Sequence, residues 1–127
     1  MGTFREKVKA SNPANGRFKE LEAVVDKGAT YSQIPAPILD GLGIERKTKR
    51  KLKVATGEVI VRDAGIVLFN LKGEILPTLV IFGDSGSEPL IGAVTLEEFG
   101  LGIDPVNKIL VPVPELMLLM IKPKHLD

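Results

Sequence analysis

Ala23-Val24-Val25-Asp26-Lys27-Gly28-Ala29-Thr30 decides how this chain is read: a carboxylate directly follows an apolar run and stands just before a glycine and small residues. A strand with such an end carries its acid toward the middle of the molecule, and the glycine lets backbone amides come close to it. Hydrogen bonds from those amides favour the charged acid. Upstream, residues 3–10 and 17–25 flank Asn15-Gly16, a dipeptide that tolerates the positive φ angles of a tight turn, so the apolar run is the second arm of a hairpin. Downstream, a strand over 30–34 ends at Pro35 and Pro37, and residues 38–42 make a short helical turn closed by Gly43. Residues 47–55 and 58–62 bracket Thr56-Gly57 as a second hairpin, and strands at 66–70 and 76–82 are separated by a turn at Lys72-Gly73. The one further helix is brief, with Thr95 as N-cap, Glu97 and Glu98 in its positive first turn and Gly100 at its end. Residues 109–113 return to extended structure. Glycine and proline at short intervals, and no long amphipathic helix, make the chain all-β.

The composition narrows the chemistry. At 127 residues the chain suits one domain, 1–127, with a core over about 3–114 and a tail at 115–127. The formal net charge of +1 gives no global field toward nucleic acid or membrane. The absence of cysteine excludes thiolate chemistry, disulfides and zinc–thiolate sites, and suits a reducing compartment. With no apolar signal core after Met1 and no apolar run long enough for a bilayer, a cytoplasmic protein is expected.

A second signature stands at Pro89-Leu90-Ile91-Gly92, followed by the short helix and by Gly100-Leu101. With the Asp26 loop and the Thr56-Gly57 hairpin about midway between, the order resembles the retropepsin-like aspartic proteases, of the prokaryotic single-domain type, over about residues 3–114. The resemblance implies an acid-protease fold: a closed β-barrel-like lobe with a flap hairpin and one short helix, working as a homodimer. It implies that Asp26 is catalytic within the loop Lys27, Gly28, Ala29 and Thr30, and that Ala29 and Thr30 line the peptide groove. Thr56 and Gly57 would form the tip of the flap. Ile91 and Gly92 would support the loop from beside it, Gly92 being small so that the loop fits.

The implied mechanism needs two carboxylates sharing one proton, and no metal or cofactor. One lobe supplies a single aspartate, so the second must come from a symmetric copy of the chain. The substrate would be an extended peptide or unfolded protein. Asp84-Ser85-Gly86-Ser87 offers a rival aspartate that matches the family's Asp-Ser-Gly letters better. Gly83 rather than an apolar strand precedes it, and Leu90-Ile91-Gly92 follows too soon for a complete lobe, so it reads as a surface turn. Lys27 departs from the family, which has Thr or Ser there with a hydroxyl that bonds across the dimer axis. Lysine has only donors and a positive charge. Two such side chains near an axis must repel, swing outward or pair with Asp26, and each outcome weakens catalysis. A degenerate protease, a lineage that accommodates lysine and a deliberately altered chain all remain open. A pseudo-protease, a dimeric β module that binds peptides without cutting them, is the leading alternative.

Arg46-Lys47-Thr48-Lys49-Arg50-Lys51-Leu52-Lys53 is the densest basic stretch. Its alternation suits the solvent face of a strand, and it lacks aromatic residues for base stacking, so no nucleic-acid partner is expected. Leading into the flap, it could favour acidic peptides. The apolar segment Leu116-Met117-Leu118-Leu119-Met120-Ile121 suits burial in a dimer interface or against the chain's own core. His125, the only histidine, lacks a second ligand at metal spacing, and no phosphate-binding loop opens a helix.

Overall fold

Strand-forming residues at period two build most of the molecule. In the computed structural model, which describes residues 3–114, β1 (Phe4–Ser11) and β2 (Phe18–Val25) pair antiparallel from Phe4↔Val25 to Ser11↔Phe18. Alternate side chains, Val8 and Ala10 on one strand and Leu21, Ala23 and Val25 on the other, are buried in the core. The turn between them is held by buried Asn12, whose Oδ1 accepts from the Ala14 amide at 2.7 Å and whose Nδ2 donates to the Leu42 carbonyl at 2.9 Å. Gly16, at φ +74°, supplies the left-handed residue. The apolar segment 116–121, its expected interface role, and His125 lie outside the described residues.

The remaining strands are β3 (Ser32–Pro35), β4 (Thr48–Lys53), β5 (Val59–Leu71), β6 (Glu74–Gly83) and β7 (Leu90–Ile91). They order as β1-β2-β7-β3-β6-β5-β4, and β5 returns to pair with β1, closing a 6-strand barrel with β4 outside it. Closure removes the open edges of the barrel strands, while β4 keeps one unpaired edge. Two parallel pairings, β2 with β7 and β3 with β6, sit among antiparallel ones. Inside lie Ile34, Val67, Phe69, Leu71, Val80 and Ile91, all within 1% of full burial. Each large apolar side chain so buried contributes about 1.5–3 kcal/mol relative to exposure.

Two helices of 6 residues plug the structure: α1 (Ala36–Gly41) and α2 (Ala93–Glu98). α1 begins earlier than the predicted 38–42, because Pro37 sits in its first turn, where a missing amide costs nothing. Outside the barrel β8 (Leu101–Asp104) and β9 (Ile109–Pro112) form a hairpin. Only the β9 region was expected. β8 escapes because its Leu-Gly-Ile-Asp is too short to show alternation. Among the described residues no helix is long and apolar enough to cross a membrane.

Two further expectations are corrected. Strands read separately at 58–62 and 66–70 are one, β5, of 13 residues. Gly65 in its middle marks a close approach rather than a break, since a Cβ there would lie 2.4 Å from the Glu45 carbonyl oxygen. Thr95 is not an N-cap: Gly92 holds that position with no side-chain cap, and Thr95 lies inside α2, fully buried. Glu97 and Glu98 therefore stand at the end of the helix, not in its first turn.

Candidate active site

Asp26 follows β2 directly, one residue beyond fully buried Val25, and is itself half-buried. Its backbone amide donates to the Ile91 carbonyl at 3.0 Å, which carries the β2–β7 pairing Val24↔Leu90 and Val25↔Ile91 one residue further. The chain then turns back tightly. The Ala29 amide donates to the Asp26 carbonyl at 3.1 Å, and the Gly28 amide donates to Asp26 Oδ1 at 2.9 Å. A Cβ at Gly28 would press to 3.1 Å from the same oxygen, so glycine leaves the carboxylate room.

From behind, the loop is held by the start of α2. The Ala93 amide donates to the Ala29 carbonyl at 2.8 Å and the Val94 amide to the Thr30 carbonyl at 2.9 Å. Gly92 passes so close that a Cβ would lie 2.6 Å from Tyr31 backbone atoms and 2.8 Å from the Ala29 carbonyl oxygen. The Gly92 amide donates to Ser32 Oγ at 3.0 Å. Ser32 Oγ bonds Thr95 Oγ1 at 2.5 Å, Thr95 bonds Thr78 Oγ1 at 2.9 Å, and Thr78 donates to Glu98 Oε1 at 2.6 Å. Sequence reasoning missed this chain of hydroxyls. Its members are far apart in the sequence, and a lone Ser or Thr in a strand carries no signal of it.

Two hollows meet at the loop. One, an open groove of about 540 Å³, runs between Gly28, Ala29, Thr30 and Tyr31 on one side and the β4 residues Lys51, Leu52 and Lys53 on the other. Arg50 ties these walls together, its Nε donating to the Tyr31 hydroxyl at 3.3 Å. The predicted flap tip, Thr56-Gly57, lies at the exposed turn beyond β4. There the Gly57 amide donates to the Val54 carbonyl at 2.8 Å and φ is +88°. The groove wall is the stem of that hairpin, not its tip. The second hollow, about 420 Å³, holds Asp26 and Lys27 with Phe4, Ile103 and Lys108. Lys27 is exposed, and among the described residues no carboxylate lies within ion-pair distance of it. It lines the same hollow as Asp26 without forming an ion pair with it.

Asp84 sits differently. Its carboxylate is largely exposed and is gripped by Arg62, whose Nε and Nη2 donate at 2.9 and 3.2 Å. Hydrogen bonds from that guanidinium, and then its charge, hold the Asp84 carboxyl below its usual range. The basic stretch is also partly neutralised: Arg46 pairs with Asp40 and Asp63, Lys47 with Glu45 and Lys49 with Asp63. Among the described residues no group of three or more His, Cys, Asp or Glu is placed to hold a metal ion.

No protein-family model matches the chain, and no curated protein matches it by sequence. Solved structures do. The solution structure of simian foamy virus (mac) protease superposes with a TM-score of 0.52 at 18% identity, covering 75% of this chain and 93% of that one. EIAV protease complexed with the inhibitor HBY-793 gives 0.53 at 19%, covering 78% and 89%. The retroviral protease-like domain of Ddi1 from Leishmania major gives 0.56 at 17%, covering 88% of each chain. At these identities the likeness is one of fold, and the fold of this chain is that of the retropepsin-like proteases.

Proposed function

We propose that the chain is an aspartic endopeptidase that acts as a homodimer, each copy contributing Asp26. The observation that carries this reading is the cradle of Asp26: a carboxylate at the end of a core strand, bonded by a backbone amide and braced by Ile91 to Val94, opening beside a groove. In the proposed reaction an ionised Asp26 takes a proton from water as its oxygen attacks the peptide carbonyl carbon. The protonated Asp26 of a second copy gives its proton to the carbonyl oxygen. Collapse of the tetrahedral intermediate breaks the C–N bond: the leaving nitrogen takes a proton from the protonated carboxyl, and one hydroxyl of the intermediate gives its proton to the ionised carboxylate as the new carbonyl forms. The substrate is an extended peptide, hydrogen-bonded as an added strand between the Ala29–Thr30 floor and β4. A cytoplasmic setting is proposed from the cysteine-free composition.

A second reading, a dimeric peptide-binding module without cleavage, is favoured by Lys27, whose exposed charge would be doubled near a two-fold axis. Three measurements separate the readings: cleavage of unfolded β-casein at acidic pH, casein binding, and sedimentation to establish the dimer. Cleavage lost in Asp26→Asn and strengthened at least tenfold in Lys27→Thr supports the endopeptidase. Binding that survives Asp26→Asn, with no cleavage by the native chain, supports the module. A strict monomer sinks the endopeptidase.

A further inference from the structure

The hydroxyl chain behind the Asp26 loop has a direction. Ser32, Thr95 and Thr78 are each within 1% of full burial, and each hydroxyl has one proton to give. The Thr78 proton goes to Glu98, because a carboxylate only accepts. Thr78 must then accept from Thr95, and Thr95 must accept from Ser32. Ser32 Oγ is left with lone pairs for the Gly92 amide, which donates to it at 3.0 Å. The order of protons is thus set from the exposed end, by the one charged group in the chain. Reversing it would strand the Ser32 proton, since no other acceptor for it is recorded among the described residues.

The far end of this chain touches the site. Gly92 is followed by the two amides that hold Ala29 and Thr30, and preceded by the carbonyl that accepts from the Asp26 amide. Whatever loosens the Gly92–Ser32 bond loosens that clamp. We propose that Glu98 is a positioning residue for the Asp26 loop, the terminal acceptor that orients Thr78, Thr95 and Ser32 so that Gly92 is held against it. The role in catalysis rests on the endopeptidase reading; the positioning itself does not.

The test uses the full chain and three variants: Glu98→Ala and Thr78→Val, which break the chain at its last link, and Glu98→Gln, whose amide oxygen can still accept. Amide hydrogen exchange at Gly92, Ala93 and Val94 reads the clamp without any need for cleavage. Exchange should quicken about tenfold in Glu98→Ala and Thr78→Val, the factor expected for loss of a charge-assisted bond worth about 1.4 kcal/mol, and stay within about twofold of native in Glu98→Gln. If β-casein is cleaved, kcat should fall in the first two variants with KM unchanged, and recover in Glu98→Gln. Native exchange rates in Glu98→Ala, or a Glu98→Gln variant as fast as Glu98→Ala, overturn the proposal. Altered exchange in a chain whose native form cuts nothing leaves the positioning standing and the endopeptidase reading refuted.

Discussion

Asp26 and Asp84 each stand two residues before a glycine, and they live in different worlds. Asp26 ends a core strand, receives a backbone amide and is backed by a buried hydroxyl chain. Asp84 follows the end of β6 in an exposed turn and is matched by one arginine. Gly86 has open space around it and needs its glycine for a φ of +86°, while Gly28 has no such backbone demand and is small for the sake of its carboxylate. The lesson is that a short motif acquires chemistry from what lies behind it. The segment Ile91 to Val94 lies behind Asp26; among the described residues the Asp84 carboxylate has only Arg62 as a hydrogen-bond partner.

The largest expected effect breaks the backing itself. Gly92→Ala must move backbone at Tyr31 and Ala29 and should cost about 3 kcal/mol or more of unfolding free energy, read by denaturant titration. Gly86→Ala, strained in φ but free of contacts, should cost about 1–2 kcal/mol. Equal costs would erase the distinction between the two regions. A smaller effect sharpens it: Thr95→Val keeps the shape but leaves the Ser32 proton without an acceptor, costing about 1–3 kcal/mol. Ser85→Ala in the exposed turn should stay within about 0.5 kcal/mol.

The smallest effect concerns acid. Arg62 lowers the folded-state value of Asp84 below the ordinary 3.8, so the pair adds stability while Asp84 is ionised. That increment is present above about pH 4 and fades as pH falls through the lowered value. Because the pair is exposed, the increment is slight. Melting temperature followed from pH 6 to pH 2, values bracketing about 4, should fall slightly less in Arg62→Gln than in the native chain. A larger acid loss in the variant would contradict the pairing.

Much of this was legible in residue order. Asn15-Gly16, Thr56-Gly57 and Lys72-Gly73 mark turns that the structure contains, because turn chemistry is local. The strand ending at Val25 is local too, and so is its apolar alternation. Thr95 was misread for the same reason: a threonine before two glutamates looks like a cap when only neighbours are considered. Its real partners, Ser32 and Thr78, are 63 and 17 residues away. Residues 63–65 fall between the two strands read from the sequence, and the Glu45 carbonyl that approaches Gly65 within one continuous β5 comes from another part of the chain.

By itself, the sequence determined the all-β class, the hairpins β1–β2, β4–β5 and β5–β6, and the identity of the acid that ends a core strand. These follow from side-chain period and backbone preference over a few residues. Only the tertiary structure decided that Arg62 occupies Asp84 and that buried hydroxyls join Glu98 to the loop. Each depends on groups brought within hydrogen-bond or ion-pair reach by barrel closure. That proximity comes from packing and cannot be read from the spacing of letters.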